Sequence, residues 1–121
     1  MITLDDFRKI ELKVAKILEV TPHPSADRLY VLKVDLGLVE KKDEVTGEIT
    51  SAPEIRELVA GIRLYYQPEE LVGKQVIVLV NLQPATIRGI ASNGMLLATK
   101  NGDQLAVLTL DRPIPEGSPV S

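Results

Sequence analysis

The stretch from Pro84 to Met95, PATIRGIASNGM, holds the side chains best suited to gripping a polar ligand. Arg88 carries five N–H donors in a rigid fork that can take a phosphate bidentately; without a ligand it is a solvated surface arginine. Gly89 either lets backbone approach a ligand or permits a positive φ. Ser92 can donate to a phosphate or a base edge, or bond its own loop in a local turn. Asn93-Gly94 is a short-range turn signal. Met95 begins an apolar run, where a methionine either packs in a core or presents its thioether at a rim.

A second stretch, TPHPSADRL at residues 21 to 29, places His23 and Asp27 on either side of Pro24-Ser25-Ala26. Asp27 is suited to pinning a loop through backbone N–H groups. His23 as a base would need a nucleophile close by, and no elbow motif, carboxylate pair or phosphate loop accompanies it. The chain therefore reads as a non-enzyme. A single histidine and no cysteine leave no metal site to expect, and no cofactor motif is present.

Composition narrows the partners. The 121 residues suit one domain, 1–121, and 45% are apolar. No apolar run approaches the roughly 20 residues that cross a bilayer, and the acidic, amphipathic start is unlike a secretory signal. A cytoplasmic protein is the expectation. The formal net charge is -3, which by itself argues mildly against nucleic acid. However, residues 40 to 57 hold three basic and six acidic side chains, leaving 11 of each elsewhere. A neutral remainder can still present a basic face. Aromatics are few (Phe7, Tyr30, Tyr65 and Tyr66), whereas single-strand binders stack bases on several rings.

The elements that must position these residues follow from pattern. Thr3 with Asp6 resembles a capping box before a short helix, DDFRKI. Strands are expected at 12–20, 29–36 and 56–62, separated by a polar insertion at about 40–54 in which VTGEIT could form a small hairpin. QPEELVGK is a short helix, with Pro68 at its first position and Gly73 at its end. QVIVLVNL, apolar on both faces, is a buried fourth strand. Gln83 to Asn93 reads as a loop before a fifth strand, GMLLATK. Asn101-Gly102 then signals a type I′ hairpin into QLAVLTL, and an extension at about 101–121 ends the chain. Helix between strands three and four is the order of the all-β, five-stranded oligonucleotide/oligosaccharide-binding (OB) barrel. That fold binds ligands on strands two and three and on the loops joining strands one to two and four to five. Here those loops are the two stretches described first. By alternation Lys33 shares a face with Val31 and Asp35, where it either meets a ligand or pairs with an acid; Arg28 stands at that strand's mouth, and Lys13 belongs to the surface more weakly.

Three segments, taken together, resemble a known family. HPSADRLYVLKVDLG, LVAGIRLYYQPEELVGKQVIVLVNLQPATIRGIASNGMLLA and the opening ITLDDFRKIELKVAKI are similar to the tRNA-binding domain appended to methionyl-tRNA synthetases, which also occurs as a free-standing protein. The resemblance implies an OB barrel that holds the outer corner of tRNA by shape and backbone. It implies a homodimer, with QLAVLTL and the tail outside the barrel as dimerisation material, and a synthetase catalytic subunit, methionyl first, as a further partner. It carries tRNA contact over to Lys33, Arg88, Ser92 and Met95, with Arg28 on the same surface. His23, Asp27, Gly89, Asn93 and Gly94 are left to shape the loops. Ala85-Thr86 departs from the pattern, since relatives often carry basic residues there, and weaker tRNA binding is expected. A protein-binding module of the same fold, of the export-chaperone type, is the alternative. Met1 and the compact ending favour a whole protein.

Overall fold

The computed structural model describes residues 1–121. Its elements are α1 (Leu4–Phe7), β1 (Leu12–Pro22), β2 (Tyr30–Lys42), β3 (Ile49–Ala60), α2 (Pro68–Leu71), β4 (Gln75–Leu79), β5 (Ala85–Ile87), β6 (Ile90–Ser92), β7 (Met95–Leu96), β8 (Ala98–Asn101), β9 (Gln104–Val107) and β10 (Pro119–Val120). One curled antiparallel sheet runs β3-β2-β1-β4-β7, with β10 on β1; β5-β6 and β8-β9 are separate hairpins. This is the expected five-stranded OB-type barrel, with α2 between its third and fourth strands.

The core follows from alternation. Leu32, Val34 and Leu36 on β2 face Ile17 on β1, Leu58 on β3 and Val76 and Val78 on β4, with Leu71 of α2 closing one end. Each large side chain removed from water here contributes about 2 kcal/mol. Strand β4 is buried on both faces, as its unbroken apolar run requires: Ile77, paired with Val14, is buried outside the main cluster. The short helices rest on their caps. Thr3 Oγ1 accepts from the Asp6 N–H at 3.1 Å, and the Asp6 carboxylate accepts from the Thr3 N–H at 3.2 Å. That backbone bond holds the Asp6 carboxyl below its ordinary 3.8. No residue of α1 is buried, so nothing extends it through Ile10 as the sequence suggested.

Several local expectations need correction. The polar stretch at 40–54 is mostly strand: β2 and β3 run on through it as a two-stranded arm, paired from Leu38↔Pro53 to Lys42↔Ile49. A bulge between Asp35 and Leu38 sets the arm's course. Gly37 occupies it at φ +90° and lies against Gly117 of the tail, so closely that a Cβ on either would overlap the other segment's backbone. The expected loop at 83–93 is instead the β5-β6 hairpin. In the β8-β9 hairpin Asn101 pairs with Gln104, so Gly102-Asp103 forms the turn, one residue later than expected. Gly102 alone has positive φ there, which is the II′ rather than the I′ pattern. Part of QLAVLTL serves this chain's own core: Val107 is buried and Leu105 packs against the cluster, whereas Leu108 stays exposed. The tail is anchored by the Gln75 amide, which donates to Ile114 O at 2.6 Å and accepts from Ile114 N–H at 3.2 Å.

At the arm's tip, Asp43 Oδ1 accepts from the N–H groups of Val45 at 2.8 Å and Thr46 at 3.2 Å. The Val45 bond foremost, then the Thr46 bond, lowers the Asp43 carboxyl from 3.8. A depressed folded value means the turn is fully supported above 3.8 and loses that support as pH falls through the lowered value. An acid titration followed at the Val45 and Thr46 amides will show a midpoint below 3.8, absent in Asp43→Ala; a midpoint at or above 3.8 contradicts this.

Candidate nucleic-acid interface

The β1-β2 loop, 23–29, and the β5-β6 hairpin meet at one end of the barrel, and a buried imidazole joins them. His23 is 3% exposed. Its Nδ1 accepts from the Ser25 N–H at 3.0 Å, and its Nε2 lies 3.2 Å from Ile87 O. A carbonyl only accepts, so the ring is the tautomer with hydrogen on Nε2. His23 therefore shapes both loops at once. Asp27 is exposed and makes no hydrogen bond to loop backbone.

Arg88 sits at the tip of the β5-β6 hairpin. It is the one non-glycine residue at positive φ, +52°, followed by Gly89 at +88°. Two successive positive φ values make a I′ turn, which matches the twist of its short flanking strands. Non-glycine residues adopt this region at some cost. The guanidinium donates to Ser25 O at 2.8 Å, a second tie between the loops. Arg63, between β3 and α2, donates to the next carbonyl, Ala26 O, at 3.2 Å. With Arg28 this makes three guanidiniums around one loop, and none forms an ion pair. Ser25 to Leu29 and Arg88 line an open cleft of about 340 Å³. The sequence reading had passed over Arg63. Its signal was the strand register: Tyr30 pairs with Ala60, so the chain leaving β3 emerges beside the loop entering β2.

Other candidate residues serve different ends. Ser92 is 4% exposed, accepts from the Val59 N–H at 3.0 Å and donates to Gly94 O at 3.1 Å. Its hydroxyl closes the barrel against β3. Asn93-Gly94 is no hairpin turn but the corner where the chain leaves β6 for β7. Asn93 N–H donates to Glu57 O at 2.9 Å. Gly94, at φ +138°, lies so close to β4 that a Cβ would stand 3.0 Å from Leu79 O. Met95, paired with Leu79, is 45% exposed just beyond that corner. Arg56 braces the same corner by donating to Val80 O at 2.7 Å and Asn93 O at 3.3 Å while paired with Glu54 at 2.8 Å.

Lys33 is exposed on the outer sheet face but stands between two acids, Glu19 and Glu57, in register across β1 and β3. It pairs with Glu19 at 3.5 Å. Ala85 and Thr86 are exposed on β5, beside the arginine turn. The tyrosines are engaged within the fold. Tyr30 OH donates to Tyr66 O at 2.7 Å, Tyr66 OH accepts from the Val107 N–H at 3.2 Å, and Lys100 covers the Tyr65 ring at 5.6 Å. No helix is long and apolar enough to cross a membrane.

Unpaired cationic forks on interlocked loops suit a phosphate backbone, and comparison with known proteins points the same way. The family model described as "Putative tRNA binding domain" matches residues 12–52 and 48–119. The chain belongs to the tRNA-binding domain family. It is 44% identical over 117 residues to the methionine–tRNA ligase of Thermococcus kodakarensis, covering 97% of this chain and 14% of that one. The chain thus spans about a seventh of the length of such relatives. In structure it is similar to a MetRS-related protein from Pyrococcus horikoshii, with TM-score 0.81, 28% identity and 100% and 98% coverage of the two chains. It is also similar to the CsaA chaperone protein from Picrophilus torridus, with TM-score 0.79, 30% identity and complete coverage of both.

Replacing Ser92 by alanine will leave the half-buried Val59 N–H unpaired and lower stability by about 1 kcal/mol in urea unfolding. An unchanged midpoint would show that the hydroxyl does not close the barrel.

Proposed function

We propose that this chain is a non-catalytic, structure-directed tRNA-capture module that assists an aminoacyl-tRNA synthetase, methionyl by its relatives, as a dimeric subunit or in trans. The observation that carries this is the group of three arginines without acidic partners, with Arg63 and Arg88 fixed to the carbonyls of the β1-β2 loop and Arg28 exposed on that loop beside the cleft. Guanidinium forks held in place bind phosphate oxygens with little further ordering. Folded tRNA is read by shape and backbone, which needs few free aromatic rings. A second contact of this kind raises the effective concentration of tRNA at a catalytic partner without altering the chemistry. Met95 joins the surface at the rim. Lys33, neutralised by Glu19, contributes little, and Ser92 acts through the corner it holds.

Apolar side chains at the two ends of the chain support the homodimer. Met1, Ile2 and Leu4 are exposed beside the first helix, and Leu108 and Ile114 near the tail. The cytoplasm is the proposed place of action. The likeness to a chaperone supports protein binding as a second reading.

The test is binding of bulk tRNA by gel shift against salt, for wild type and Arg88→Ala. The substitution will weaken binding about tenfold and reduce the salt slope by about 0.7–0.9. Ala85 and Thr86 leave wild type weaker than a relative with basic residues there. Absence of any shift at low salt, together with binding of unfolded polypeptide, would favour the chaperone-type reading instead.

A further inference from the structure

Asp27 is the residue of the loop end that the fold does not use. Leu29 N–H donates to Ala26 O at 3.3 Å, which closes a turn with Asp27 and Arg28 at its corner. Neither has a positive φ, and a turn of that kind accepts most residues there. An aspartate supports a turn by accepting from backbone N–H groups two residues on, and Asp27 accepts from none. Its exposed carboxylate forms no ion pair either. Yet guanidiniums surround the loop that carries it. Arg28 is next in the chain, Arg63 donates to Ala26 O at 3.2 Å, and Arg88 donates to Ser25 O at 2.8 Å. Asp27 lines the same open cleft as Arg28 and Arg88.

A carboxylate in a phosphate-binding cleft costs affinity by like-charge repulsion. A ligand that covers the cleft also strips water from the carboxylate, and a charge left without a partner is penalised further. Both costs are offset where the ligand brings a hydrogen-bond donor. Phosphodiester oxygens only accept, so the donor must come from sugar or base. Base N–H groups inside a folded RNA are mostly taken up in pairing. The ribose 2′-OH donates, recurs at every nucleotide and adjoins the phosphates. DNA has no such group to offer. A carboxylate set beside guanidinium forks therefore favours RNA in part by penalising a backbone that lacks the hydroxyl.

We infer that Asp27 distinguishes ribose from deoxyribose at this surface, accepting from a ribose 2′-OH while Arg28 and Arg88 hold the adjoining phosphate. The inference rests on the tRNA-binding reading and adds the sugar to what the site reads. One turn then carries two charges with separate roles. Arg28 supplies affinity whatever the sugar, and Asp27 gives up some affinity for selectivity. Arg63 and Arg88, each tied to a carbonyl of this loop, fix the turn and its carboxylate before the ligand arrives.

The test is a binding cycle with the full chain. Wild type, Asp27→Ala and Asp27→Asn are titrated against one tRNA sequence made with ribose and with 2′-fluororibose, both forms showing a cooperative melt. Fluorine keeps the sugar pucker and the A-form helix but cannot donate. Wild type will bind the ribose form about tenfold more tightly, as a hydrogen bond to a charged group allows. Asp27→Ala will bind the fluorinated form more tightly than wild type does, and the two forms within about twofold of each other. Asp27→Asn, whose amide oxygen still accepts, will keep a preference for ribose of at least about threefold. Arg28→Ala, which touches neither tie between the loops, will weaken both forms alike. The inference is overturned if wild type binds the two forms equally or if Asp27→Ala keeps the wild-type ratio. A carboxylate acting by repulsion alone predicts the latter, with both forms tightened by one factor. Loss of the preference in Asp27→Asn as complete as in Asp27→Ala overturns it too, because acceptance would not be the cause. The tRNA-binding reading fails on a different result, no binding of the ribose form by wild type at low salt, and the inference falls with it.

Discussion

The loop end of this barrel depends on a buried imidazole that two loops share. His23 accepts from Ser25 and meets Ile87 O across a sequence separation of 64 residues, so neither loop can move without unpairing a buried polar group. Arg88 reinforces the link from outside through Ser25 O. The strands bring the two segments to the same end, and the imidazole sets their spacing. Only then do Arg28, Arg63 and Arg88 form one surface. The strained backbone at Arg88 fits the same account, since an arginine at positive φ persists where its surroundings determine it.

Charge is divided along the molecule. The loop end carries unpaired guanidiniums, whereas the middle of the outer sheet presents Lys33 between Glu19 and Glu57, and the arm beyond it is acidic. A net charge of -3 therefore conceals a cationic end. Because the strand face is neutralised, the proposed RNA contact rests on the loop end. The arm is where the family match divides, between 12–52 and 48–119.

What could be read from the sequence was chiefly local. The Thr3–Asp6 capping box, Pro68 at the start of α2 and the unbroken apolar run of β4 each state their structure in neighbouring residues, and their order gave the barrel. The arm was missed because both its faces are largely exposed, so it lacks the apolar alternation of a half-buried strand. Asn93-Gly94 misled because the dipeptide marks hairpins in isolation. Here packing against Leu79 and a bond to Glu57 decide its geometry. The burial of Ser92 depends on Val59, 33 positions away, and no pattern near Ser92 announces it. Arg88 and His23 were placed on the right loops, but their interlock is a tertiary fact.

The central claim is that tRNA meets the interlocked loops and not the sheet face or the arm. Backbone amide shifts recorded while bulk tRNA is added to the full chain test it most directly. The account predicts perturbations concentrated at residues 23–29, Arg63 and 85–95, with residues 38–55 unmoved. Perturbations centred on the arm, with Arg88 and Arg28 silent, would contradict it.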